Sequence, residues 1–130
     1  MNSITRILIP FDFGQVAQSA FNYALNFCAN NDRIDIRLCY VSHPDNHELK
    51  QEQMNAYLAN LSVRGYVTVS GKVIQGEFVA TSLKEQLDFK ADIMIMGTKG
   101  ANDVSGKAIS NTSIITLEAH CPVLVIPVDY

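Results

Sequence analysis

A chain of 130 residues, 48% hydrophobic and 18% charged, has the length of one globular domain, so residues 1–130 are expected to fold as a single unit around one core. Ten Lys and Arg against 13 Asp and Glu leave a net charge of -3 with no clustering of the basic residues, which argues against a nucleic-acid partner. The first apolar run, Ile7 to Pro10, is too short for a signal segment or a membrane span, and a soluble cytoplasmic protein is expected.

Ile7-Leu8-Ile9, closed by Pro10, has the continuous apolar pattern of a strand buried on both faces. Val16, Ala20, Tyr23, Ala24, Phe27 and Cys28 then recur at helical spacing, and Asn30-Asn31 ends the helix. A second strand runs from Ile34 to Val41. It alternates at first, Ile34, Ile36 and Leu38 against Asp35 and Arg37, which predicts one partly wet face. His43-Pro44-Asp45-Asn46 is a turn, and Met54, Tyr57, Leu58 and Leu61 mark the inner stripe of a second helix closed near Gly65.

Tyr66 to Ile74 reads as a third strand broken by Gly71. After a turn at Gly76, Val79, Leu83 and Leu87 share a face of a third helix. Ala91 to Met96 is a fourth strand, apolar apart from Asp92. Residues 97–109 form a loop, Ser110 to Ala119 a fourth helix, and Val123 to Ile126 a last strand between two prolines. Strict alternation of five strands and four helices predicts an open parallel α/β sheet with helices on both faces and right-handed crossovers. Cys28, Cys39 and Cys121, odd in number and set among apolar residues, are expected to be buried thiols.

In such a sheet a ligand sits beyond the carboxyl ends of the strands, where the strand order reverses. Two segments there carry chemistry. Asp12 follows the first strand; its carboxylate either accepts a hydrogen bond from an amine such as that of adenine or serves the start of the next helix. The stretch MGTKGANDVSGKAISNT follows the fourth strand. Gly97 and Gly100 would let the backbone approach a ligand, and Ser110, Asn111 and Thr112 would open a helix with hydroxyls and free N–H groups for an anion, or else simply cap it.

Other motifs carry less. Ala101 to Ala108 resembles a Walker A loop but has Ala108 in place of the Mg²⁺-binding hydroxyl, and Phe11-Asp12-Phe13-Gly14 lacks every other kinase signature. His43, Asp45 and His47 fit an exposed turn better than a metal site, so no metal ligands are assigned. No nucleophile, base and orienter come together, so no defined reaction is predicted, and slow ATP hydrolysis stays open.

Three segments, ILIPFDFGQVAQSAFNYALNFC, VIQGEFVATSL and DIMIMGTKGANDVSGKAISNTSIITLEAHCPVLVIP, resemble the universal stress protein family in order and over nearly the whole chain. The resemblance implies a Rossmann-like fold with sheet order 3-2-1-4-5 and, in many members, a homodimer joined through the last strands, here Val123, Leu124, Val125 and Ile126. It further implies an adenine nucleotide, ATP or AMP, with Mg²⁺ only alongside ATP. Carried over by position, Asp12 matches the adenine-side aspartate and Val41 a residue meeting the base through its backbone. Gly97 and Gly100 match the first two loop glycines, and Ser110 the phosphate-side hydroxyl followed by Asn111 and Thr112.

The family's ATP-binding loop has a third glycine before that hydroxyl. This chain has Ile109 there in a loop one residue short, or, aligned without a gap, Ser110 with Asn111 in the hydroxyl's place. A β-branched residue resists positive φ and fills space beside the phosphates, so binding is expected to be weakened or lost. Asp103 adds a negative charge, opposed by Lys99 and Lys107, and Phe11 is placed to stack on a base or to narrow the pocket. The expected function is therefore a stress-response module with a crevice suited to an adenine nucleotide. The alternatives are a dimeric interaction protein of the same fold that binds no nucleotide, and a flavodoxin-like carrier of a different ligand.

Overall fold

The computed structural model describes residues 6–27, 33–98 and 107–127, the side chains of 107–110 apart. Its strands are β1 (Arg6–Pro10), β2 (Ile34–Ser42), β3 (Val67–Gln75), β4 (Ile93–Thr98) and β5 (Val123–Pro127). They alternate with the helices α1 (Gln15–Phe27), α2 (His47–Ala59), α3 (Phe78–Phe89) and α4 (Lys107–Glu118), and a short 3-10 turn Pro44–Asn46 precedes α2. All five strands are parallel, in the order β3-β2-β1-β4-β5, as expected.

Strand alternation divides the core into two layers. Ile7 and Ile9 of β1 and Ile34, Ile36 and Leu38 of β2 pack under Ala17, Ala20, Phe21 and Ala24 of α1 and Met54 of α2. Leu8, Cys39, Met94 and Met96 face the other way, against Phe89 of α3 and Ile115 of α4. β3 is not broken at Gly71. It runs on through that residue in continuous register with β2, and a side chain at Gly71 would meet Met54 and Leu58 of α2. The glycine serves close helix packing rather than a strand end.

The polar side of β2 is partly wet, as its alternation predicts, with Asp35 and Arg37 half-buried. Arg37 donates to Glu85 of α3 at 3.2 Å and to the Ser70 hydroxyl at 3.2 Å, with its guanidinium 4.4 Å from the centre of the Phe89 ring. Glu85, 2% exposed, is also 3.6 Å from Lys72. This explains a second departure: the buried residues of α3 are Ser82, Glu85, Gln86 and Phe89, while Leu87 is 52% exposed. The helix is turned so that its carboxylate meets the cation on the sheet, because an ionised group so deeply buried requires partners whereas an exposed leucine is tolerated.

Cys39 is a buried free thiol whose pKa burial pushes up to about 12, and Cys121 is partly buried; Cys28 lies outside the described residues. Among the described residues no helix is long and apolar enough to cross a membrane.

α3 ends on Lys90 in the left-handed conformation (φ 57°, ψ 49°), with the N–H groups of Lys90 and Ala91 closing on the carbonyls of Gln86 and Leu87. Glycine is the usual residue there because a Cβ crowds the carbonyl. Lys90→Gly is expected to raise stability by about 1 kcal/mol, read as a higher urea midpoint with an unchanged slope.

Candidate functional site

The sheet reverses direction of growth at β1, and there the strand ladders are unequal. β1 pairs with β2 over all five of its residues, and Phe11 N–H adds a further bond to Cys39 C=O at 2.8 Å. Toward β4 only Ile7↔Ile93 and Leu8↔Met94 are in register. Even-numbered residues of β1 face β4, as the 2.8 Å bond from Asp92 N–H to Arg6 C=O shows. Pro10 is the next such residue, and it has no N–H to donate. The β1–β4 ladder therefore stops, while β4 continues beside β5 to Thr98↔Pro127. The carboxyl ends of β1 and β4 are thus left unpaired with each other, at the crevice position where open parallel sheets bind ligands.

On the β1 side Asp12 is exposed. Its Oδ1 accepts a 2.9 Å hydrogen bond from Gly14 N–H, and Oδ2 carries none among the described residues. Oδ1 thereby braces the entry to α1, which is the reading in which Asp12 serves the start of that helix. Gly14 C=O then accepts from Gln18 N–H at 2.9 Å, the first helical bond of α1.

Phe11 is a correction. It is 2% exposed, edge-on to Phe21 (6.1 Å) and Phe13 (5.2 Å) and tilted against Tyr57 (5.1 Å), so its ring belongs to the core beneath α1 and α2 rather than to a base or a pocket wall. The odd-numbered face of β1 continues through it, a periodicity already present in Ile7 and Ile9.

Val41 is half-buried, in register with Ile74 of β3, and packs toward the α3–α4 layer. Beside it Ser42 is buried, with its hydroxyl 2.9 Å from His47 Nδ1, while His43 is exposed. Among the described residues no group of His, Cys, Asp or Glu side chains could hold a metal ion.

On the β4 side Gly97 lies within the strand, not in a loop. A Cβ there would collide with the carbonyl oxygen of Val16, in the first turn of α1. Close backbone approach is real at this glycine, but the backbone that approaches is α1's own. Gly100 and the rest of 99–106 lie outside the described residues. α4 begins at Lys107, so Ser110, Asn111 and Thr112 do not open it. Ser110 is its fourth residue, so its N–H is the first to fall within the helical i→i−4 pattern and is not one of the free donors of the helix start. Asn111 and Thr112 are half-buried, and Thr112 C=O accepts from the Thr116 hydroxyl at 2.7 Å.

Sequence reading missed Pro10, Val16 and Phe13. The signal for Pro10 was its position at the end of a central strand, where a missing donor interrupts one ladder.

The profile of the Universal stress protein family matches residues 3–127. No curated protein matches the chain significantly. Among solved structures, a universal stress protein described in complex with cAMP is 14% identical over 98% of this chain and 99% of its own, with TM-score 0.75. A protein of the same family from Burkholderia pseudomallei is 24% identical over 95% and 96%, TM-score 0.71. An Arabidopsis thaliana family member described with AMP bound is 16% identical over 95% and 91%, TM-score 0.70.

Because the Gly97–Val16 contact involves backbone, it cannot relax as a side-chain tip would. Gly97→Ala is expected to destabilise the protein by about 1–3 kcal/mol with no ligand present, measured by thermal unfolding.

Proposed function

The chain belongs to the universal stress protein family, and from that membership and the crevice geometry we propose that it is a stress-response module holding an adenine nucleotide between the ends of β1 and β4. The observation that carries this reading is the exposed Asp12, braced through Oδ1 with Oδ2 still able to accept from the exocyclic amine of a purine. The base side of the site therefore fits the ligand. Relatives of the same fold are described with cAMP and with AMP, which supports a nucleotide with few phosphates. Val41, at the open end of β2, meets the base through its backbone in this reading.

On the phosphate side, Gly97 is already packed by Val16, so the burden falls on Gly100, Ser110, Asn111 and Thr112. Ile109 stands where the family's third loop glycine would be, yet here it is already the third residue of α4, so a helical β-branched residue takes the place of the positive-φ backbone that cradles a phosphate. ATP with Mg²⁺ accordingly binds weakly, AMP is the better ligand, and no defined reaction is assigned. Calorimetric titration of the protein and of Ile109→Gly tests this. Expected are binding of AMP by both and at least a tenfold gain in ATP–Mg²⁺ affinity from the substitution; absence of binding by either protein would overturn the reading.

A second reading, an interaction protein acting as a dimer in the cytoplasm, is favoured by the contrast between the sheet's two edges. β3 carries exposed Thr68, Lys72 and Gln75, whereas β5 (Val-Leu-Val-Ile-Pro) has no charge and exposes Val125. Uncharged apolar edges invite strand pairing. Leu117, 84% exposed, and Ile114 on α4 add apolar surface to the same half of the molecule. Pairing of Val123 to Ile126 between two copies would cover the edge. Sedimentation is expected to give a dimer that Val125→Lys converts to a monomer, and a monomeric parent protein would remove this proposal.

A further inference from the structure

Phe13 has φ 66°, and the other non-glycine residue with positive φ among those described, Lys90, sits at a helix C-terminus where that conformation is common. A bulky aromatic there is unusual. The neighbouring Gly14, which could adopt a positive φ without strain, does not. The loop has thus put the strained conformation on the phenylalanine and kept the glycine for another purpose.

That purpose is legible from the geometry. Asp12 Oδ1 and Gly14 N–H close a turn in which the aspartate side chain stands in for a backbone carbonyl. Phe13 occupies the place that in the equivalent backbone turn requires positive φ and is normally filled by glycine or asparagine. A Cβ on Gly14 would lie 3.0 Å from Asp12 Oδ1, so the glycine makes room for the carboxylate. The phenylalanine holds the turn shut, because its ring is fixed on several sides: edge-on to Phe11 (5.2 Å) and to Tyr57 (5.8 Å), and tilted against Tyr40 (5.7 Å). Lys50 Nζ lies 5.9 Å from the centre of the Phe13 ring and 5.2 Å from that of Tyr40. Tyr57 is itself tied to α1 by a 2.7 Å bond to Gln18.

We infer that Phe13 is a positioning residue for the crevice: its ring, clamped by Phe11, Tyr40, Tyr57 and Lys50, holds the backbone turn that aims the Asp12 carboxylate at the amine of the bound purine. The inference rests on the nucleotide reading of the crevice. It makes the choice of base depend on a side chain that touches no ligand and that is anchored on the far side of the loop, by β2 and α2.

The test has two arms. In the first, affinity is measured for 5′-AMP and for the 5′-monophosphate of purine riboside, which lacks the exocyclic amine. The parent protein is expected to prefer AMP at least tenfold, Phe13→Ala to lose at least fivefold of that ratio, and Phe13→Tyr to keep it. A merely structural phenylalanine would weaken both ligands alike and leave the ratio unchanged, which would overturn the proposal. In the second arm, without ligand, amide hydrogen exchange at Gly14 is expected to rise at least tenfold in Phe13→Ala while Leu8 and Ile9 stay unchanged; exchange within twofold of the parent would overturn the proposal. Should Phe13→Ala fail to fold, Phe13→Leu, which fills the space without a ring, takes its place in both arms. A parent protein that binds no AMP would sink the nucleotide reading, and the exchange arm would still decide the role of Phe13 in the turn.

Discussion

One missing hydrogen-bond donor shapes the carboxyl end of this molecule. Pro10 ends the central strand and faces β4, and because it has no N–H the ladder between β1 and β4 stops after Leu8 and Met94. The partner strands do not stop with it: β2 stays with β3 to Ser42↔Gln75 and β4 stays with β5 to Thr98↔Pro127. The opening between them is filled from one side by the first turn of α1, whose Val16 carbonyl lies against Gly97. On the β1 side, what remains is lined by the turn at Asp12.

The layer opposite α1 and α2 is held differently. There the core is not purely apolar: Glu85 is buried against Arg37 and Lys72, and Gln86 accepts from His120 N–H at 3.1 Å. Removing one member of such a buried set leaves a charge without its partner, a far larger loss than the set contributes intact. Its value is in alignment. Arg37 is on β2, Ser70 and Lys72 on β3, Glu85 on α3, so a single cluster fixes the rotation of α3 over two strands. α3 is also capped by an uncommon residue, Glu77, whose carboxylate accepts from Val79 and Ala80 N–H.

Most of the architecture was legible because apolar periodicity reports burial, and burial in a parallel sheet is nearly complete. All five strands fall within two residues of their expected limits for that reason. The failures have a common cause, which is that periodicity says how apolar a face is but not which partner covers it. Leu87 continued an apolar stripe and is exposed, since the ion pair at Glu85 sets the helix rotation. Phe11 looked available to a ligand because it lies past the expected strand end, yet it continues the strand's alternation into the core. α4 starts at Lys107, three residues before Ser110: Ser110 and Asn111, good caps in isolation, are also tolerated inside a helix at a modest cost in propensity. At the site itself, Asp12 and Gly97 were visible as chemistry, whereas Phe13 was not: nothing in a sequence marks a phenylalanine with φ 66°.

The unequal ladders also divide the protein mechanically. β2 and β3 share nine register pairs and β4 and β5 share five, but the two groups of strands are joined across β1 and β4 by only two. A shear along that line breaks the fewest backbone bonds of any path through the sheet, and the crevice lies at its end. Beyond those two pairs, what ties β4 and β5 to the rest of the sheet is α1, whose Val16 backbone lies against Gly97, so the weakest ladder is bridged by a helix instead of by strand bonds.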